Sequence, residues 1–254
     1  MEIIAHRGAS FDAPENTLAA ARLAWEQSAD AVEVDVHLSK DGKIVVIHND
    51  NTRLFAGVPG KVQAQTLSQL KALDVGRWKG RRWTGERIPL LEEVLATVPD
   101  GKRLFVEIKS GPACLPEFAK VWKRSGRKPG QVVPIGFSLA TMERLKKRLP
   151  QLEVCWIAEF KRSWRTGRWS PQPARLIQAA QRAGLDGLDL SAKGPIDAAF
   201  VGLLKDAGLK LYVWTVDSPA RARKLIQAGV DGITTNRPAW LREQLLASGV
   251  HLEA

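Results

Sequence analysis

Short apolar segments alternate along this chain with longer amphipathic ones, a pattern typical of α/β proteins. The longer segments predict helices, and a Gly that forms a common helix C-terminal cap follows three of them, at Gly184, Gly208 and Gly229. The apolar segments predict nine strands, at residues 3–5, 32–38, 44–48, 104–109, 132–135, 153–157, 185–190, 210–214 and 231–235. The number and spacing of these βα units favour a (β/α)8 TIM barrel over a doubly wound sheet.

One of the nine predicted strands is surplus to an eight-stranded barrel. Residues 39–42, Ser-Lys-Asp-Gly, form a strong turn signal between the segments 32–38 and 44–48. A parallel crossover needs a dozen or more residues. A connection as short as this one therefore requires an antiparallel hairpin. The sequence therefore predicts one irregular antiparallel hairpin strand at 44–48.

The segment 49–87 differs from the rest of the chain because it shows little periodicity and is interrupted by glycines. The length of 254 residues suits one large domain. We therefore predict a single domain over residues 1–254 with a small cap-like insertion at 49–87. Within and after the insertion we expect a short helix near 66–73 and a helix over 88–95 that begins at its Pro.

Composition fits a folded protein, with 44% hydrophobic residues and no apolar run long enough to cross a bilayer. The N-terminus lacks the basic and apolar regions of a signal peptide, and Cys114 and Cys155 lack metal or redox spacing. These features lead us to expect a cytoplasmic protein with free thiols.

The net charge of +11 favours anionic partners, which include phosphate compounds, nucleic acid and lipid surfaces. The densest cationic cluster, at 161–169, also contains Trp164 and Trp169. We expect a solvated loop beside the active site there, with docking to a membrane or nucleic acid as the alternatives.

The strand at 31–38 contains the most informative polar pattern. Alternation puts Glu33, Asp35 and His37 on one face and three valines on the other. Two neighbouring carboxylates in a buried strand are costly unless a cation meets them, and Mg²⁺ or Ca²⁺ is the simplest partner. The alternative is an edge strand with a solvated acidic face.

In a TIM barrel the active site lies at the C-terminal ends of the strands. Four kinds of functional side chain occur at those ends. There are carboxylates that suit a divalent cation, cations that suit a phosphate, histidines that suit acid/base catalysis and a Trp that suits a pocket wall. These residues are Glu33, Asp35 and Glu107, then Arg7 and Lys109, then His6 and His48, and finally Trp214. Together they predict phosphodiester cleavage.

The same segments carry a resemblance over nearly the whole chain. The matching motifs are His-Arg-Gly at 6–8, Pro-Glu-Asn-Thr at 14–17, Glu-Val-Asp-Val at 33–36, Lys-Asp-Gly at 40–42, the His at 48, Glu-Ile-Lys at 107–109, Trp-Thr-Val-Asp at 214–217 and Gly-Ile-Thr-Thr-Asn at 232–236. In this order they are highly specific, and the sequence resembles bacterial glycerophosphodiester phosphodiesterases.

The resemblance implies metal-dependent hydrolysis of glycerophosphodiesters, which are small-molecule substrates, to sn-glycerol 3-phosphate and an alcohol. It implies that the three carboxylates bind Mg²⁺ or Ca²⁺, that the two histidines are catalytic and that Arg7 and Lys109 contact the phosphate. Through the resemblance Glu15 is expected to brace Arg7. The family usually has Asp where this chain has Asn49, which leaves the orientation of His48 in question.

Two alternative functions remain open from the sequence. A lysophospholipase D-like enzyme would act on membrane lysolipids through the cluster at 161–169, and a non-catalytic phosphate-binding module would have lost part of the site. No nucleic-acid-binding motif is present. Asn16 and Thr17 are expected to be helix caps and His37 a residue of the rim.

Overall fold

The computed structural model describes residues 1–251 as a closed barrel of eight parallel strands surrounded by helices, which confirms the predicted TIM barrel. The strands are β1 (Glu2–His6), β2 (Ala31–Leu38), β3 (Ile44–Val46), β4 (Arg103–Ile108), β5 (Val132–Gly136), β6 (Cys155–Ala158), β7 (Lys161–Arg162), β8 (Trp169–Ser170), β9 (Gly187–Ser191), β10 (Lys210–Trp214) and β11 (Gly232–Thr235). The barrel runs in the order β1, β2, β4, β5, β6, β9, β10, β11, and pairing of β11 with β1 closes it.

Ten α-helices connect or cover these strands within the described residues. They are α1 (Leu18–Glu26), α2 (Arg53–Ala56), α3 (Leu67–Ala72), α4 (Leu91–Ala96), α5 (Leu115–Ser125), α6 (Leu139–Arg148), α7 (Pro173–Arg182), α8 (Ala198–Asp206), α9 (Pro219–Ala228) and α10 (Pro238–Ala247). Between positions 1 and 251, none of these helices has the length and apolar character needed to cross a bilayer.

The surplus strand is the predicted hairpin. β3 pairs antiparallel with β2, and Leu38 faces Ile44 while Val36 faces Val46. The Ile47 N–H continues the pairing by donating to the Asp35 carbonyl at 3.0 Å. Because β3 runs back along β2, the chain that follows it returns to the level of the acidic residues.

The core has two layers, one between the barrel and its helices and one inside the barrel. The inner layer contains Ile4, Ala31, Phe105, Val133, Ile135, Cys155, Ile157 and Tyr212. An ionic cluster lies near the starts of the strands, where the Arg103 guanidinium contacts Glu2 at 2.9 Å and Glu153 at 2.8 Å. The Tyr212 hydroxyl accepts from Arg103 and donates to Glu153. These bonds close the N-terminal end of the barrel with paired rather than isolated charges.

The segment 49–87 contains α2, α3 and short 3-10 turns, and it has its own small hydrophobic cluster against β3. Lys79 Nζ donates to the Ser10 carbonyl at 2.7 Å, and Arg82 donates to the Asp12 carbonyl at 2.8 Å. These bonds hold the segment against the loop after β1, at the C-terminal end of the barrel.

One helix boundary differs from the prediction. The helix expected over 88–95 begins only at Leu91, because Leu90 forms an isolated bridge with Val45 and the Pro89 carbonyl accepts from the Val46 N–H. Pro89 therefore extends the sheet edge and does not start the helix. The short helix expected near 66–73 is present as α3, with a capping box at Thr66.

Candidate active site

The predicted site residues converge on one cavity of about 170 Å³ at the C-terminal end of the barrel. Its lining comprises His6, Arg7, Glu33, His48, Glu107, Lys109, Ile135, Phe137, Ile157, Asp189, Trp214 and Thr234. Asp35 adjoins this lining through its contacts with Arg7 and Lys109. Glu15 contacts Arg7 at 2.7 Å, in the position expected for a brace.

The three carboxylates of Glu33, Asp35 and Glu107 each offer one oxygen, and these oxygens lie within 4.8 Å of one another. All three side chains are buried. In the register of β2 with β4, Asp35 faces Glu107 directly. This donor set suits a hard divalent cation.

Two cations meet the carboxylates from the side of the cavity. Arg7 Nε lies 3.2 Å from Asp35 Oδ2, and Lys109 Nζ lies 3.2 Å from Asp35 Oδ1 and 2.8 Å from Glu107. The backbone N–H of Arg7 donates to Glu33 at 2.9 Å. Both cations remain partly exposed and so can reach an anion that enters the cavity.

These charges separate the pKa values of the carboxyl groups. Burial, with the neighbouring carboxylates, raises the pKa of Glu33 well above its ordinary value and that of Glu107 to about 7. Burial acts in the same direction on Asp35, but Lys109 and Arg7 outweigh it and lower the pKa of Asp35 to about 2. The site therefore has one firmly ionised carboxylate and two that hold protons more strongly than usual.

His6 is oriented by a chain of hydrogen bonds that the sequence analysis missed. Its Nδ1 lies 2.7 Å from Asn236 Oδ1, and Asn236 Nδ2 donates to Asp217 at 2.6 Å. Since the Asn236 amide nitrogen faces Asp217, its oxygen must accept from His6 Nδ1–H, which leaves Nε2 without a proton. Burial and the nearby Arg7 lower the pKa of His6, which favours this neutral form.

His48 follows β3 and has a different orienting residue. Its Nδ1 lies 2.8 Å from Asn49 Oδ1, so Asn49 occupies the orienting position. A neutral amide thus holds the ring at the position where the family usually has an aspartate. His37 is half-buried and does not belong to the cavity lining, and its Nε2 lies 3.0 Å from the His48 carbonyl.

Asn16 was predicted to be a helix cap, and the structure corrects this. Thr17 caps α1, since its hydroxyl accepts from the Ala20 N–H. Asn16 is buried and instead holds Asp35 at two points, donating to Oδ2 at 2.9 Å and accepting from the Asp35 N–H at 3.0 Å. Its backbone has a positive φ of 57°, a conformation that Asn adopts more readily than most residues.

The opposite wall of the cavity is apolar. Trp214 packs edge-on against Phe137 with ring centroids 5.9 Å apart, and its indole N–H donates to the Asp189 carbonyl at 3.3 Å. Trp214 was predicted for this wall, whereas Phe137 and Asp189 were not. The position of Phe137 directly after β5 is the signal that would have identified it, whereas Asp189 lies at the middle of β9 and carries no such signal.

The chain matches the family model described as the glycerophosphoryl diester phosphodiesterase family over residues 6–240. It is 33% identical to a glycerophosphodiester phosphodiesterase of Caldanaerobacter subterraneus, with 94% of this chain and 95% of the relative covered. It is 30% identical to a glycerophosphodiester phosphodiesterase of Bacillus subtilis, with 92% and 83% covered.

Solved structures agree with these relatives. An Oleispira antarctica phosphodiesterase in complex with the product sn-glycerol-3-phosphate matches with a TM-score of 0.85 and 26% identity, over 96% of each chain. A glycerophosphodiester phosphodiesterase of Thermotoga maritima matches with a TM-score of 0.77 and 25% identity, over 96% of this chain and 97% of the other. With a family match that spans most of its length, this chain belongs to the glycerophosphoryl diester phosphodiesterase family and is a phosphoric diester hydrolase.

Proposed function

We propose that the enzyme hydrolyses glycerophosphodiesters to sn-glycerol 3-phosphate and an alcohol, with a divalent metal and two catalytic histidines. The observation that carries the proposal is the meeting of three buried carboxylates, two cations and two histidines around one cavity. The Oleispira relative holds the corresponding product, which supports the same substrate class here.

Glu33, Asp35 and Glu107 would hold the metal. Their oxygens match the hard ligands that Mg²⁺ and Ca²⁺ prefer, and three such carboxylates buried together call for more positive charge than Arg7 and Lys109 supply to Asp35 alone. An ion bound there supplies positive charge that stabilises phosphoryl oxygens and lowers the pKa of a bound hydroxyl or water.

The other side chains then have separate tasks. Arg7 and Lys109 neutralise the phosphate, and Glu15 braces Arg7. His6 and His48 both have Nδ1 directed at an amide oxygen, so each has Nε2 available for proton transfer, one as base and the other as acid. Trp214 forms the apolar wall against which the substrate packs.

The direct test is release of sn-glycerol 3-phosphate from glycerophosphocholine, first with a chelator and then with Mg²⁺ or Ca²⁺ restored. We expect release only when the metal is present. Equal release with and without the chelator would contradict the metal-dependent mechanism, and no release under any condition from folded protein would contradict the function.

Metal affinity is expected to depend on pH because Glu107 must lose a proton to bind. Burial and Asp35 raise the pKa of Glu107 to about 7, so its carboxylate is available above that pH and is lost as the pH falls below it. The need to remove the Glu107 proton should by itself make the affinity for Ca²⁺ fall by about tenfold for each pH unit below 7, and the fall should be steeper where Glu33, whose pKa is also raised, must lose a proton as well. Calorimetric titrations between pH 6 and 8, in buffers of different ionisation enthalpy, would count the protons released; constant affinity across this range would refute the prediction.

Exposed apolar side chains favour a second candidate, hydrolysis of membrane lysolipids. Among residues 1–251, six of the eight exposed large hydrophobic residues lie at the catalytic end of the barrel, either in loops after the strands or in the 49–87 segment. These six are Phe11, Leu54, Val58, Trp78, Phe137 and Trp164. The β7–β8 hairpin carries Trp164, four cations and no acid, which suits docking on an anionic bilayer.

The hairpin provides the test of this candidate. Replacing Trp164 and Arg165 with alanine should lower binding to phosphatidylglycerol vesicles by about tenfold, since one aromatic anchor and one cation are lost. Lysophosphatidylcholine hydrolysis should fall with it, whereas glycerophosphocholine hydrolysis should not change. Leu246→Ala, in the exposed last turn of α10, is the control. Unchanged vesicle binding in the double variant would eliminate the candidate.

We also propose that residues 1–254 form one domain into which 49–87 is inserted as a cap; residues 252–254 lie outside the described part. The cap's own hydrophobic cluster and its bonds to the loop after β1 support this organisation. A cytoplasmic location is proposed as well, and the buried free thiols of Cys114 and Cys155 support a reducing compartment.

A further inference from the structure

The cavity has two unlike walls, and only one of them is used by the chemistry described above. The charged wall comes from β1, β2 and β4, and the apolar wall comes from β5, β6, β9 and β10. The apolar wall contains Ile135, Phe137, Ile157 and Trp214, and within this described lining its one acidic residue is Asp189.

Asp189 lies at the middle of β9, on the far side of the barrel from the carboxylate triad. Four steps along the barrel separate β9 from β2 in either direction, so the two strands face each other. In register, Asp189 pairs with Ile157 on one side and Tyr212 on the other, both of which belong to the inner core layer. Its side chain therefore points into the barrel, where it forms part of the cavity lining.

The Asp189 carboxyl group lacks the partners that a buried acid normally has. The residue is 3% exposed, and in the described part of the chain its Oδ1 has no hydrogen-bond partner. Leaving such a group unpaired costs free energy, and an apolar residue of similar shape would be neutral or stabilising at this position. Because Asp189 belongs to the lining of the cavity, a ligand that enters the cavity can supply the missing partner.

The surroundings define what kind of ligand group fits. Burial, with a smaller contribution from Glu107, raises the pKa of Asp189 well above its ordinary value, so a neutral carboxyl is favoured. A neutral carboxyl both donates and accepts one hydrogen bond, which complements a hydroxyl group rather than an ammonium group.

We propose that Asp189 binds the terminal hydroxyl of the substrate's glycerol moiety and determines specificity for it. This inference rests on the proposed function, in which Arg7 and Lys109 hold the phosphate on the charged wall. The glycerol carbons then cross the cavity against Ile157 and Trp214. The terminal hydroxyl is the glycerol group farthest from phosphorus, and it meets the Asp189 carboxyl on the opposite wall.

Ligand binding tests the proposal without requiring turnover. Calorimetry would compare sn-glycerol 3-phosphate with 2-hydroxypropyl phosphate, which lacks only the terminal hydroxyl, with Ca²⁺ present throughout. Wild-type protein should bind sn-glycerol 3-phosphate about tenfold or more tightly, because the analogue leaves the acid unpaired. In Asp189→Leu the two ligands should bind within about twofold of each other, and Asp189→Asn should keep much of the preference.

Each outcome of this comparison decides the proposal. No preference in the wild type, or an undiminished preference in Asp189→Leu, overturns it. Should Asp189→Leu not fold, as judged by thermal unfolding, Asp189→Ala serves as a smaller apolar variant and the wild-type comparison still applies. A wild-type protein that shows the preference but releases no sn-glycerol 3-phosphate from diesters would refute the proposed reaction and leave this recognition intact.

Discussion

Replacing Glu33 with glutamine is expected to weaken Mg²⁺ or Ca²⁺ binding by about 100-fold or more and to reduce turnover at low metal to a similar degree. The substitution keeps the shape of the side chain, and the glutamine oxygen can still accept from the Arg7 N–H. What it removes is one negative charge from a buried site in which three carboxylates meet. Calorimetric metal titration and activity as a function of metal concentration would measure the effect.

Glu26→Gln provides the matched control, because Glu26 is an exposed residue at the end of α1 with no contact to the cavity. This variant should bind the metal as the wild type does. If Glu33→Gln bound the metal with wild-type affinity, the assignment of the carboxylate triad as the metal site would be wrong.

Replacing His6 with alanine is expected to lower kcat by about 10²–10⁴-fold, the usual contribution of a positioned acid or base. Metal affinity should stay within about threefold of the wild type, because His6 is bonded to Asn236 and is not part of the triad. Steady-state kinetics at saturating metal, combined with metal titration, would separate the two quantities. Added imidazole should restore part of the activity, which a merely structural loss would not allow.

His251→Ala is the control for this prediction, since His251 is an exposed residue beyond α10. A His6→Ala enzyme with near wild-type kcat would show that His6 is not the acid or base. Parallel loss of metal binding and turnover would instead assign His6 to the metal site.

The barrel could be predicted from the sequence because its signals are local. Strands are short apolar runs, helices end at glycine caps, and the turn at 39–42 is too short for anything but a hairpin. The position of Glu33, Asp35 and Glu107 followed from one general rule about the C-terminal ends of barrel strands. The start of α4 was predicted too early because Pro89, which precedes the helix, takes part in a sheet-edge contact that no local pattern reveals.

The supporting residues of the site could not be predicted because they act over long sequence separations. Asn16 holds Asp35 from 19 residues away, and Asn236 holds His6 from 230 residues away. In the sequence Asp189 stands between two leucines, a pattern that is equally typical of a strand with its acidic side chain in solvent. Only the closed barrel shows that this side chain lies inside. Such contacts depend on the assembled sheet, so a pattern along the chain does not contain them.

The ionic cluster around Arg103 has a consequence for how this scaffold can change. It joins Glu2 of β1, Tyr212 of β10 and Glu153, which precedes β6, at the end of the barrel away from the chemistry. The cap at 49–87 and the β7–β8 hairpin contribute nothing to these bonds. Loops from homologous enzymes could therefore be exchanged at the catalytic end in chimaeric enzymes without disturbing these bonds. Selection for substrates with new head groups could act on the same loops while the base of the barrel is inherited unaltered.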